Sequence, residues 1–257
     1  MELPIYYMVV LFAAALVGGA LFIIYRKQSS QQIKLLLSFS AAYLLGLTLL
    51  HLFPELFESG IEHAGWYVLG GFMLQVVLDF FSHGVEHGHA HSHANAGTRF
   101  LFTVMASLWI HAFIEGMPFG GAMEVHNHVH DHGHAHGHVH AHDHRSSLLL
   151  GISLHKITES LVFTALLMNS GVTLKRSIFW LVIFGLMAPM GALTNHFLID
   201  LNLEHFADLT PKVTGVLIGI LLHVSTTIIF ESEEGHKFNW VKFASILVGI
   251  ALATLVS

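Results

Sequence analysis

The chain contains no cysteine. The fold therefore needs no disulfide, and any metal chemistry must rest on His, carboxylate or Met. Charge is also scarce. Asp, Glu, Lys and Arg make up 11% of the 257 residues, against about 25% in ordinary soluble domains. A typical soluble surface is thereby excluded. Basic residues number 11 against 17 acidic ones, for a formal net charge of −6. That balance gives no reason to expect nucleic acid or an anionic lipid surface as a partner.

What is present is apolar. Hydrophobic types reach 54%, and the mean hydropathy is +0.65. The segments near 4–25, 35–57, 65–82, 100–123, 147–169, 178–199, 213–230 and 240–256 stand out. Each is long or nearly long enough to cross a bilayer core, which needs about 20 residues. Connectors take most of the rest and leave no room for a soluble domain. The expected class is an all-α membrane protein of eight transmembrane helices, one domain over 1–257. The first segment lacks a short apolar region followed by a small-residue cleavage site, so it is read as a retained helix.

Orientation follows from the basic residues. With both termini outside, the inner loops hold Arg26, Lys27, Lys34, Arg99, Lys175, Arg176, Lys237 and Lys242, and the outer loops only Arg145 and Lys212. The positive-inside rule favours this arrangement, and a cell (inner) membrane is the expected location. The remaining basic residue, Lys156, falls inside the fifth segment.

Histidine is abundant, with 23 residues. An inner loop over 83–93 carries His83, His87, His89, His91 and His93. An outer loop over 124–147 carries His126, His128, His130, His132, His134, His136, His138, His140, His142 and His144. Neutral imidazole is a good ligand for Zn²⁺ and other borderline metals. Gly, Ala, Asp and Val fill the gaps, so neither tract can bury a core. A metal-affinity tag or a pH-responsive linker is the bland alternative. Two internal tracts between spanning helices suit auxiliary metal capture better.

The most specific signal is a repeated pair. His111-Ala112-Phe113-Ile114-Glu115-Gly116 and His155-Lys156-Ile157-Thr158-Glu159 each lie within an apolar segment. Each sets His and Glu four residues apart, on one helix face. Ionisable groups at membrane depth are costly and mark function. A lone His there would be a packing residue, and one His/Glu pair could be an internal ion pair. Two pairs on consecutive antiparallel helices are hard to explain by packing. Imidazole with carboxylate suits Zn²⁺, Fe²⁺, Mn²⁺ or Cd²⁺ rather than Cu⁺. A structural zinc site would be closed and tetrahedral; a transport site must release its ion.

These two motifs resemble the fourth- and fifth-helix signatures of the ZIP (Zrt/Irt-like) metal transporters. His51-Leu52-Phe53-Pro54-Glu55 resembles the end of that family's second helix, Ala188-Pro189-Met190-Gly191-Ala192 its sixth, and Gly215 to Glu231 its seventh. The resemblance spans nearly the whole chain. It implies a ZIP-like fold, with two inverted three-helix repeats around helices four and five and the ion near the bilayer midplane. It matches His111, Glu115, His155 and Glu159 to the family's first metal position. It places His51 and Glu55 nearer the outer mouth. Pro118 and Pro189 would bend their helices and free carbonyls for polar contacts.

The departures are equally informative. Many members hold a second metal, through an Asn after the fourth-helix His, an acid after the fifth-helix His and often an acid before the sixth-helix Pro. This chain has Ala112, Lys156 and Ala188 there. Lys156 would put its ammonium where the second cation would sit, so one metal is expected. Thr158 replaces a family Pro, so helix five should be straighter.

Weaker candidates are His223, for the inner path or a hydrogen bond with Ser225 or Thr226, and Gln75 with Asp79 near the inner end of helix three. His196, His205 and His236 are expected at the interfaces, and Met73, Met117 and Met190 in the core. Gly116 with Gly120, and Gly215 with Gly219, form GxxxG pairs suited to close packing.

The expected function is uptake of a divalent transition metal, zinc first, without enzymatic activity. Zn²⁺ is the transported substrate. The expected partners are the metal ion and the bilayer, and a homodimer is compatible with this. One rival is a cation-diffusion-type exporter, which would have fewer helices and a cytoplasmic metal-binding domain. The other is an intramembrane zinc hydrolase, which would keep its metal to activate water; the sequence has no HExxH.

Overall fold

Lipid offers no hydrogen bonds to a backbone, so an apolar run in a bilayer must satisfy its own peptide groups. Each long apolar run here is helical. The computed structural model describes residues 5–25, 30–82, 98–121, 144–201, 208–230 and 239–255. Every regular element among them is a helix. The tracts at 83–93 and 126–143, with His205 and His236, lie outside the described residues.

Helix α1 is Ile5–Ile24. Helix α2 runs over Ser30–Leu47, passes through a π turn at Thr48–Leu52 and continues over Phe53–Glu58. Helix α3 is Ala64–Ser82, and α4 is Thr98–Gly116 with a 3₁₀ turn at Met117–Gly120. Helices α5 to α8 are His144–Asn169, Leu174–Asp200, Leu209–Phe230 and Trp240–Leu255. Seven are long and apolar enough to cross a membrane, and α8, at 16 residues, is shorter. Residues 144–147, expected in the outer loop, instead form the first turn of α5.

Local chemistry sets the helix ends. Pro54 has no N–H to return to the carbonyl four residues back. Just before it, the Phe53 N–H reaches Thr48 O, five residues back, closing the π turn. Helix α5 ends at a glycine with positive φ, Gly171 at 81°. There Val172 N donates to Leu167 O at 3.0 Å and Gly171 N to Met168 O at 3.1 Å, a Schellman closure. Helix α5 runs unbroken through Thr158.

Small residues let the helices approach closely. A Cβ on Gly116 would strike the carbonyl of Ala188, one on Gly120 that of Ala192, and one on Gly191 that of Phe113. These crossings bind α4 to α6. Asn195 of α6 adds a polar link, donating from Nδ2 to Met117 O at 2.8 Å, at the end of α4. Helix α1 packs on α5 and α6, α3 on α7 and α4, and α2 on α8, α7 and α5. Helix α5 is the most enclosed of the spanning helices.

Two apolar clusters divide the interior. One joins Leu37, Leu108, Ala112, Phe163, Leu166 and Phe184; the other joins Leu11, Tyr43, Leu52, Phe119, Leu148 and Ile152. On α4 the stretch between them holds Glu115, with His111 at the edge of the first cluster beside Ala112, and on α5 it holds His155 to Glu159. One expectation fails. Met73 and Met190 are each 49% exposed on the outer surface, not in the core. Lipid is as apolar as a protein core, so composition does not tell the two apart. His196, four residues before the end of α6, is buried against its neighbours, its ring centroid 6.0 Å from that of Phe197.

Candidate metal centre

The four-residue spacing turns His111 and Glu115 to one face of α4, and His155 and Glu159 to one face of α5. The structure brings both faces together. With Lys156, these side chains expose no more than 2% of their surface. His111 Nε2 lies 3.2 Å from Glu115 Oε1 and 4.0 Å from Glu159 Oε1. His155 Nε2 lies 3.8 Å from Glu115 Oε1. The ligand atoms of His111, Glu115 and His155 all fall within 4.8 Å of one another.

The two carboxylates are divided in the same way. Their Oε1 atoms face the imidazoles. Their Oε2 atoms face the ammonium of Lys156, which pairs with Glu115 Oε2 and donates to Glu159 Oε2 at 2.6 Å. The ammonium also lies 5.0 Å from the centre of the Phe184 ring, on its cation-binding face. Two carboxylates and one ammonium leave a net charge of −1 when both imidazoles are neutral.

A burial this complete makes unsatisfied polar atoms expensive. Yet both ring nitrogens of His155, and Oε1 of Glu115 and of Glu159, form no hydrogen bond among the described residues. A divalent cation would satisfy the two carboxylate oxygens and one ring nitrogen of His155, leaving its other ring nitrogen unbonded among the described residues. Ligands about 2.0–2.2 Å from a tetrahedral zinc lie roughly 3.3–3.5 Å apart. The 3.2, 3.8 and 4.0 Å separations are close to that spacing. Oxygen and imidazole nitrogen together also fit iron, manganese or cadmium.

Other candidates fall elsewhere. His51 sits in the π turn of α2, a kind of turn frequent at functional sites. Glu55 lies four residues on, and both are half-buried. Arg145, at the start of α5, acts electrostatically on Glu55. It also donates to Gly121 O and stacks 5.9 Å from the Tyr7 ring. His223 of α7 meets Phe72 edge-on at 5.2 Å, and Thr226 and Thr227 donate to its backbone carbonyl. Neither His51 and Glu55 nor His223 joins the group of His111, Glu115 and His155, and Glu159 touches that group through its 4.0 Å approach to His111.

Gln75, a weaker candidate in the sequence, reaches the group itself. It is fully buried on α3, with Oε1 3.0 Å from His111 Nδ1. Its apolar setting marks it in the sequence, but nothing in the spacing names its partner. Phe184 and Asn195 carry no sequence signal beyond their place in α6. Arg145 reads only as an outer basic residue. No family model matches the chain, and no curated protein is significantly similar to it.

Proposed function

We propose that the chain is an eight-helix importer of a divalent transition metal, zinc first, with iron, manganese or cadmium as further candidates. The observation that carries this reading is the buried group of His111, Glu115, His155 and Glu159, set where two apolar clusters adjoin. A set of intramembrane ionisable groups is expensive and marks an ion pathway. Mixed imidazole and carboxylate ligands hold a transition ion yet exchange more readily than a thiolate cage.

In this reading the metal enters from outside past His51 and Glu55. It is held by two His and two Glu, and leaves inward along α7 past His223. Lys156 occupies the far edge of both carboxylates, so the site takes one metal. The His tracts raise the local metal concentration at either mouth. Positive charge on the inner loops orients both termini outward. A cell (inner) membrane and a homodimer both accord with this reading.

The likeness to the ZIP transporters supports it, and the helix packing is consistent with an inverted repeat. Such a repeat would exchange α1 with α6, α2 with α7, α3 with α8 and α4 with α5. The α1–α5 contact then answers to α6–α4, and α3–α7 to α8–α2. Both partners of each exchange are well packed. The α3–α4, α2–α5 and α5–α6 contacts have no comparably strong counterparts in α8–α5, α7–α4 and α4–α1. A movement of one helix group against the other would open the site inward.

Reconstituted liposomes provide the test. The wild type should carry zinc across the bilayer without releasing fatty acid from the same lipids. His111→Ala and Glu159→Ala should abolish the flux while inserting normally. Normal flux in either variant would remove the site from this position. Lipid hydrolysis without flux would favour the hydrolase.

A further inference from the structure

The group around the candidate metal centre does not end at α4 and α5. Helix α3 reaches it through two polar links. Ser107 Oγ of α4 donates to Leu78 O at 2.6 Å. One turn along the same crossing, Gln75 Oε1 lies 3.0 Å from His111 Nδ1. Ser107 and His111 are four apart on α4, and Gln75 and Leu78 are three apart on α3. Both links therefore belong to one strip of contact.

Helix α3 is itself firmly placed against α7. A Cβ on Gly71 would strike the carbonyl of Val216, and one on Gly219 that of Val68. Gly71 stands four residues before Gln75, on the same face of α3, so this close crossing helps to fix where Gln75 lies. A buried amide at this depth is costly unless bonded, and both Gln75 and His111 are fully buried.

We infer that Gln75 is a positioning residue for the metal centre. It accepts the Nδ1–H of His111 through its Oε1, which fixes the ring orientation and leaves Nε2 for the metal. Metal-bound histidines almost always donate their second N–H to an oxygen acceptor, and losing that acceptor costs about 10–100-fold in affinity. An amide serves where a carboxylate would also accept, and it adds no charge beside the two glutamates. The inference rests on the proposed metal reading, and it adds a residue from a third helix.

The test is zinc binding by the full chain with the histidines of both tracts replaced by Ser, measured by calorimetry. Three variants are compared with this parent: His111→Ala, Gln75→Met and Gln75→Glu. Met keeps the length and volume of Gln without its oxygen acceptor; Glu keeps the acceptor. The expected result is that Gln75→Met binds zinc about 10–100-fold more weakly. Gln75→Glu should retain affinity within a few-fold. A residue that only fills space would give the reverse, with Met tolerated and Glu damaging, and that result would overturn the inference.

Folding is followed by thermal unfolding of each metal-free variant. Weak binding by an intact Gln75→Met is the supporting result. Should that variant unfold, Gln75→Glu decides: retained binding supports the inference, and loss of binding in a folded protein overturns it. If the parent binds no zinc that His111→Ala removes, the metal reading itself fails and the inference falls with it. If the parent binds and Gln75→Met binds equally well, the inference alone fails.

Discussion

Lys156 is the residue whose placement most constrains the chemistry. A lysine buried in a spanning helix survives only if paired, and its ammonium lies against Oε2 of both Glu115 and Glu159. It supplies one positive charge between two buried carboxylates. Removing one partner of a buried ion pair costs about 3–5 kcal/mol, because the other charge is stranded. Lys156→Met should therefore lower the thermal stability of the metal-free protein. Zinc should then stabilise the variant more than the wild type, because the ion meets a site of net charge −2 instead of −1. Thermal unfolding with and without zinc measures both. Equal metal-free stability, with equal gains from zinc, would contradict this role for the lysine. The sequence names this lysine as out of place, and its contacts show why it is tolerated. Gln75 is the counterexample, because a lone polar residue in an apolar run does not reveal which neighbour it will meet.

At the scale of the helix, backbone approach sets the geometry around the site. Gly116 follows Glu115 and lies against the Ala188 carbonyl, so any side chain there must push α4 and α6 apart. Gly70 of α3 has nothing within 4 Å of where a Cβ would stand. Gly116→Ala should lower the unfolding temperature and weaken metal binding. Gly70→Ala should leave stability unchanged or raise it slightly, since Ala exceeds Gly in helix propensity by about 1 kcal/mol. Unfolding of both variants in one detergent checks this, and equal effects would contradict the packing described. Helix positions were legible because a bilayer demands long apolar runs. Their ends were less so: α2 starts at Ser30 and α6 at Leu174, several residues before the apolar runs suggest. Polar first turns are helical too. The direction in which apolar side chains face was not legible, as Met73 and Met190 show.

For the molecule as a whole, one feature organises the rest. The two His/Glu faces meet inside the bundle, where α4 crosses its most enclosed helix, α5. The pairing of motifs was legible because a period of four is a helical spacing and because such groups are rare at membrane depth. That the carboxylates divide, one oxygen toward the imidazoles and one toward Lys156, follows only from three-dimensional packing. The central claim is that this group holds one divalent ion. Anomalous scattering from crystals of the wild type grown with excess cadmium tests it most directly. Peaks elsewhere on the histidine tracts do not bear on the claim. The expected result is a single peak between α4 and α5, within coordination distance of the ring nitrogens of His111 and His155 and of a carboxylate oxygen of Glu115 and Glu159. No peak there, or two adjacent peaks, would contradict it.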